Sequence, residues 1–209
     1  MVNHAGRPLI VGLGGSVRPD STSETALAAA LTAAEALGAR TLLFGGAFMA
    51  GLPLYDPHDS RRHAERDRFL AAVAAADGFI VATPGYHGSI SGLVKNALDS
   101  LEGLRGDRRP YFDGRAVGCV VAATGWQACG STLAALRSIV HALRGWPTPL
   151  GAALNTGPGL FDADGAFLDP KDAWQVETVA AQVVAFARAW GASGRHAGRR
   201  PSAAPRPSS

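Results

Sequence analysis

The sequence has 209 residues, of which 47% are hydrophobic and 18% are charged, and its formal net charge is +3. This composition is typical of a soluble globular domain with an ample core, and no apolar run approaches the ~20 residues of a membrane-spanning helix. Four arginines and no acid lie in residues 193–209, so the remainder has a net charge of −1, which argues against a nucleic-acid-binding surface.

Apolar patterning divides the chain into alternating strands and helices. Strands are predicted at residues 9–13, 39–44, 77–83, 115–123 and 148–154, and helices at residues 22–37, 60–76, 91–101, 131–143 and 170–190, with a loop at residues 45–57. This alternation predicts an α/β fold, in which a parallel sheet is covered by helices on both faces. We expect residues 1–192 to form this domain. Residues 193–209 lack the apolar residues of a core, so we expect a disordered tail there.

A glycine turn with hydroxyls and one arginine follows the first predicted strand. After Gly14 and Gly15 come Ser16, Arg18, Ser21, Thr22 and Ser23, directly before the first predicted helix. Helix N–H groups, hydroxyls and a guanidinium together favour a bound phosphate. The alternative is that Ser21 or Ser23 only caps the helix, but a cap needs one hydroxyl and no arginine.

The type of phosphate site can be narrowed from the spacing in this loop. It lacks the Gly-Lys-Ser/Thr ending of a mononucleotide P-loop, and the third glycine of the dinucleotide fingerprint is also missing. What remains is a Ser/Thr-rich loop of the type that holds the single phosphate of flavin mononucleotide.

Two further loops of ligand-binding type follow the third and fourth predicted strands. They are residues 84–89, with the sequence Pro-Gly-Tyr-His-Gly-Ser, and residues 124–130. In the strand order 2-1-3-4-5, strands one, three and four are adjacent, and ligands bind beyond the carboxyl ends of such strands. The sequence therefore predicts one site built from three neighbouring loops. Two interpretations remain for Tyr86 and Trp126, contact with a ligand ring or contact with a partner subunit. Two also remain for His87, a proton donor or a solvated loop residue.

These loops carry a family resemblance. Residues 15–23 resemble the opening motif of the NAD(P)H-dependent FMN reductase family, and residues 83–99 are similar to its second motif. Residues 52–56, with the sequence Leu-Pro-Leu-Tyr-Asp, are also typical of it. The resemblance covers roughly residues 8–190. Within the family, the chain is similar to the flavin reductases that supply two-component monooxygenases.

The resemblance implies a flavodoxin-like three-layer sandwich with a five-stranded parallel sheet, a homodimer or homotetramer, and hydride transfer from NADPH or NADH to FMN. It implies that the serines and Arg18 hold the phosphate and that residues 84–89 lie along the isoalloxazine. The implied cofactor-binding residues are Ser16, Arg18, Ser21, Ser23, Pro84, Gly85, Tyr86, His87, Gly88, Ser89, Thr124, Gly125 and Gly130. At Gly85 the sequence departs from the family, which commonly has a bulkier apolar residue there.

No catalytic acid or base is predicted, because hydride passes directly between nicotinamide and flavin. No metal site is predicted either, since Cys119 and Cys129 form neither a metal-ligand spacing nor a disulfide framework. The segment before Gly14 is too short for a secretory signal, and we expect a cytoplasmic protein. Whether FMN stays bound or passes through as a substrate is open.

Two other functions stay open at this stage. One is reduction of a quinone, an azo compound or a metal oxyanion at the same site. The other is a non-catalytic flavodoxin-type carrier, although such carriers are typically acidic and this domain is nearly neutral.

The helix predicted at residues 91–101 suggests a subunit interface. It and its flank carry more apolar positions than one core-facing stripe accommodates, namely Ile90, Leu93, Val94, Ala97, Leu98 and Leu101. We expect the surplus face and the Tyr86 loop to lie at or near a contact between subunits.

Overall fold

Strands and helices alternate along residues 6–194, the part of the chain that the computed structural model describes. The strands are β1 (Leu9–Gly14), β2 (Arg40–Phe44), β3 (Gly78–Tyr86), β4 (Ser89–Ile90), β5 (Ala116–Ala123), β6 (Trp146–Pro147) and β7 (Ala152–Asn155). The helices are α1 (Thr22–Ala36), α2 (Gly46–Ala50), α3 (Ala64–Ala75), α4 (Gly92–Asp99), α5 (Trp126–Ala142) and α6 (Pro170–Gly194), with a 3-10 helix (Ser100–Leu104) after α4.

The tail predicted at residues 193–209 falls largely outside this range, because residues 195–209 are not among the described residues. The last helix, α6, continues to Gly194. Among residues 6–194, no helix combines the length and the apolar character needed to cross a bilayer.

The sheet has the predicted strand order. Its parallel strands run β2-β1-β3-β5, and both β6 and β7 pair in parallel with β5 at the far edge. The order 2-1-3-4-5 is therefore confirmed, but the sheet has seven strands instead of five. The fifth position is split into β6 and β7, since Pro149 between them has no N–H to donate to a ladder. The other extra strand, β4, is a short antiparallel addition to the end of β3.

The strand side chains alternate between two cores. On one face, Val11, Leu13 and Val121 pack with residues of α3, α4 and α5. On the opposite face, Ile10 and Val120 pack with residues of α1 and α6. All five side chains are fully buried. Covering both faces of the sheet explains why the parallel strands are apolar along almost their whole length.

Three predicted boundaries are wrong. A helix, α2, lies within the predicted loop at residues 45–57, and α5 begins at Trp126, five residues before the predicted start. Helix α3 begins at Ala64, four residues after the predicted start. The segment before α3 is held by Asp59, whose carboxylate lies 2.8 Å from Arg61 Nε and 2.8 Å from His63 Nε2. These hydrogen bonds hold the pKa of the Asp59 carboxyl well below its usual range, and the bond from Arg61 has the largest effect.

The subunit contact expected at α4 stays a prediction, but most of the apolar face expected to be in surplus there is buried within one copy of the chain. Val94, Ala97, Leu98 and Leu101 are at most 1% exposed. They share one core with Phe112, because the chain after the 3-10 helix folds back over this side of the sheet. Helix α4 is therefore a core helix within one subunit.

Candidate functional site

The loop between β1 and α1 presents a row of three hydroxyls. Ser16 Oγ lies 3.0 Å from Ser21 Oγ, which lies 3.2 Å from Ser23 Oγ. Ser21 occupies the N-cap position of α1, yet its side chain makes no capping hydrogen bond. The first N–H groups of a helix have no acceptor within the helix, so they and the hydroxyls together form a binding surface for an anion. The alternative of a simple serine cap does not describe this loop.

Arg18 adds a positive charge beside this row. Its side chain is exposed, and within the part of the chain that the structure describes it makes no hydrogen bond or ion pair. An unpaired guanidinium is a strong partner for phosphate oxygens. Asp20 lines the same cavity with the opposite charge, so the arrangement offers an anion specific donors and not a general positive field.

The row forms one wall of a cavity of about 150 Å³ beyond the carboxyl ends of β1, β3 and β5. Eight predicted site residues line it: Ser16, Arg18, Ser21, Ser23, Pro84, Gly85, Tyr86 and Thr124. Five other residues also line it: Asp20, Thr22, Ala122, Ala123 and Thr156. The three loops therefore meet at one cavity, as the strand order predicts, and a fourth loop joins them.

Residues 84–89, predicted to be a loop, form a β-hairpin. Strand β3 continues to Tyr86, which pairs with Ser89 of β4. His87 and Gly88 form the two-residue turn with φ of 51° and 85°, the positive pair that a type I′ turn requires. These two residues and Ser89 are exposed and do not line the cavity, unlike the first three residues of the segment.

Gly85 has no room for a side chain on the side of α5. A Cβ there would lie 2.8 Å from Ala123 Cβ and 2.8 Å from Thr132 Oγ1. Thr132 is fully buried and donates from its hydroxyl to Ser89 O at 3.3 Å. Helix α5 therefore packs directly against the hairpin, and this close approach accounts for the departure from the family pattern at Gly85.

The loop after β5 is shorter than predicted. Thr124 lines the cavity, and Gly125 occupies the N-cap position of α5 with φ of 92°. Trp126 is the first residue of α5 and is 65% exposed. Gly130 lies within α5 and does not line the cavity.

A fourth loop, after β7, contributes Thr156, which the sequence analysis missed. Thr156 Oγ1 lies 3.0 Å from Thr124 Oγ1. One sequence feature could have pointed to Thr156. The polar pair Asn155 and Thr156 comes directly after the fifth predicted strand, and in a parallel sheet that strand end lies at the same edge as the ends of the other strands.

The side chains that line the cavity are mostly neutral and rich in hydroxyls, with one arginine and one aspartate. Within residues 6–194, no group of three or more His, Cys, Asp or Glu could hold a metal ion. Cys129 does not line the cavity, and its single S–H lies within donating distance of two carbonyl oxygens, with Sγ 3.4 Å from Ala123 O and 3.3 Å from Leu154 O. Burial raises its pKa, so it remains a neutral thiol at physiological pH.

The sequence of this chain matches a known protein family and a curated relative. Residues 8–158 match the sequence profile of the family described as NADPH-dependent FMN reductase. The FMN-dependent NADPH-azoreductase of Staphylococcus aureus is 37% identical over 93 residues, which are 44% of this chain and 46% of that protein. The chain thus spans about half the length of the curated relatives it matches.

Two solved structures show the same architecture. NADH:FMN oxidoreductase (EMOB), in its apo form, has a TM-score of 0.67 at 20% identity and covers 85% of this chain and 89% of its own. The flavodoxin, WrbA-like protein from Agrobacterium tumefaciens has a TM-score of 0.59 at 18% identity, covering 87% and 98%. At these identities the likeness shows the fold alone, which is flavodoxin-like.

Proposed function

This chain belongs to the NADPH-dependent FMN reductase family, and on that premise we propose that it transfers hydride from NADPH or NADH to FMN. One observation carries the proposal. The hydroxyls of Ser16, Ser21 and Ser23 stand in a row beside the unpaired Arg18 at the start of a 15-residue helix. This donor set suits a terminal phosphate, and the cavity continues from it between neutral strand ends.

The residues present fit FMN. A phosphate dianion requires several donors and a cation, and the loop after β1 offers hydroxyls, helix N–H groups and one guanidinium. Beyond the loop after β1 the cavity is lined by neutral residues, among them Pro84, Gly85 and Thr124, and none carries a charge that would oppose a neutral ring. At Gly125 a Cβ would meet nothing within 4 Å, so the backbone there is open to a ligand.

Bound FMN supplies the hydride-accepting chemistry, and the chain binds and orients it. We assign phosphate binding to the serine row and Arg18, and contact with the remainder of the cofactor to the β3–β4 hairpin and the loops after β5 and β7. Within one subunit the site stays open to water, because Tyr86 is 46% and Trp126 65% exposed. We propose that a second copy of the chain covers these aromatics, in a homodimer or homotetramer.

A second candidate is reduction of an azo compound at the same site. The name of the Staphylococcus aureus relative, an FMN-dependent NADPH-azoreductase, favours it. Supply of reduced FMN to a monooxygenase partner is a third outcome and follows from the sequence resemblance. We place either activity in the cytoplasm, where nicotinamide nucleotides are available.

The test follows oxidation of NADH and NADPH by absorbance, with FMN first at the protein concentration and then in large excess. A rate that keeps rising with excess FMN, and reduced FMN accumulating without air, identifies FMN as the substrate. If an azo dye is bleached when FMN is present only at the protein concentration, FMN acts as a bound cofactor and the azo compound is the electron acceptor. If neither nucleotide is oxidised under any of these conditions, the reductase proposal is wrong and a carrier remains.

Arg18→Ala is expected to weaken FMN binding by about 1.5–3 kcal/mol, about 10- to 150-fold, because a charge-assisted hydrogen bond to phosphate is lost. Riboflavin, which has no phosphate, should bind wild type and variant equally. Arg105→Ala is the matched control, since the Arg105 side chain is exposed and makes only a long contact with a carboxylate, 3.4 Å between its Nη1 and Glu102 Oε1. Fluorescence titrations give all the affinities. Equal FMN affinity in wild type and Arg18→Ala would remove Arg18 from the site.

A further inference from the structure

One side-chain oxygen ties together the loops after β5 and β7. Asn155 Oδ1 accepts from Gly125 N at 2.9 Å and from Gly157 N at 3.0 Å. Thr156 N also donates to Ala123 O at 3.0 Å, so the two loops are joined by backbone as well. The two loops therefore leave the sheet in a fixed relation to each other.

The conformation of Gly125 depends on this contact. Its φ of 92° lies in the region that glycine adopts readily, and α5 starts immediately after it without a side-chain cap. Asn155 Oδ1 is the acceptor for its N–H, and a partly buried N–H that loses its acceptor costs free energy. Asn155 thereby sets the direction in which the chain leaves β5, and with it the position of Thr124.

Thr124 and Thr156 face the cavity as a pair of hydroxyls. Their Oγ1 atoms are 3.0 Å apart, and either can be the donor. One hydroxyl uses its proton in this bond and the other keeps its own, so the pair offers a ligand both a donor and an acceptor. The serine row and Arg18 lie on the β1 side of the same cavity, which leaves the threonine pair for the part of a ligand beyond its phosphate.

We propose that Asn155 is a positioning residue that holds the Thr124–Thr156 hydroxyl pair against the part of FMN shared with riboflavin, its ring and ribityl chain. The inference rests on the proposed function and adds residues to that site. It accounts for a half-buried asparagine that uses one oxygen for two N–H groups from different loops.

The experiment measures binding of oxidised FMN and of riboflavin to the full chain, by quenching of flavin fluorescence. Thr156→Val is expected to weaken both flavins by the same factor, about 3- to 10-fold, because one neutral hydrogen bond is lost. Asn155→Ala should weaken both at least as much, whereas Asn155→Asp should restore binding, since a carboxylate oxygen accepts the same two N–H groups. Thr41→Val, a matched change on β2, should leave both affinities unchanged.

Thermal unfolding of each variant shows whether it is folded. If Thr156→Val is not folded, the binding measurements use Thr156→Ser, which keeps a hydroxyl, in its place. Wild-type affinity in Thr156→Val would overturn the proposal. A loss confined to FMN would also overturn it, because the pair would then contact the phosphate. Failure of Asn155→Asp to rescue binding would remove the positioning role. If the wild-type chain binds neither flavin, the proposed function itself fails, and this is seen before any variant is compared.

Discussion

Replacing Gly46 with alanine is expected to lower the free energy of unfolding by about 1–3 kcal/mol and to weaken FMN binding roughly tenfold. A Cβ at Gly46 would lie 2.0 Å from Ser16 O and 2.6 Å from Ser16 C. Both atoms are backbone and cannot rotate away, so either α2 or the loop after β1 must move. Gly46 N also donates to Glu24 Oε2 at 2.8 Å, which fixes the start of α2 against the first turn of α1.

Urea unfolding and FMN titration measure the two effects of Gly46→Ala. Gly51→Ala is the matched control, because Gly51 ends the same helix, is exposed and has φ of −83°. The nearest atom to its Cβ would be Phe48 O at 3.4 Å, an ordinary contact, so stability should change little. Wild-type stability and FMN affinity in Gly46→Ala would show that Ser16 does not depend on this packing.

Arg115→Ala is expected to lower the free energy of unfolding by about 2–4 kcal/mol without changing FMN affinity. Arg115 is fully buried directly before β5, at the end of the strand opposite the cavity. Its guanidinium donates to Val73 O at 2.6 Å, to Arg109 O at 3.0 Å and to Tyr111 O, and lies 5.2 Å from the Phe79 ring centre. The variant would leave a cavity and three carbonyls without this donor.

Burial, followed by the charge of Arg109, lowers the pKa of Arg115 to about 10, so the group remains charged at neutral pH although no carboxylate among residues 6–191 pairs with it. Arg115→Met separates the causes, since methionine fills the space but cannot donate. Arg137→Ala, which removes one bond to Thr148 O at 2.7 Å, should cost only about 1 kcal/mol. If urea unfolding gives Arg115→Ala a free energy of unfolding within about 1 kcal/mol of the wild-type value, this account is contradicted.

The elements that the sequence predicts well are those whose signal is local. The apolar runs at residues 9–13 and 115–123 read as buried strands because both faces of a parallel sheet are covered. The hydroxyls and Arg18 lie within eight consecutive residues, so their association with the start of α1 needs no distant contact. The strand order 2-1-3-4-5 agrees with the glycine-rich loops after strands one, three and four, because it makes these strands adjacent and ligands bind at adjacent strand ends.

The sequence-based predictions are wrong where the structure of a segment depends on residues that are distant in the sequence. Residues 91–101 look like a helix with a surplus apolar face, but its apolar side chains join a core shared with α3, α5 and Phe112, and periodicity within the helix cannot report that. Residues 84–89 look like a glycine loop, yet α5 packs against them, Thr132 donates to Ser89 O, and they pair as a hairpin. His87 therefore turns away from the cavity although it lies in the middle of a ligand-type sequence.

The α/β class and the loop suited to a phosphate could be read from the sequence, because hydrophobic periodicity and short motifs involve neighbouring residues. The tertiary structure was needed to show that Thr156 joins the cavity, since its partner Thr124 is 32 residues away. It also decided that Gly46 must lack a side chain, because the atoms it would strike belong to Ser16. Such contacts form when the sheet brings strand ends together, and no local pattern records which residues will meet there.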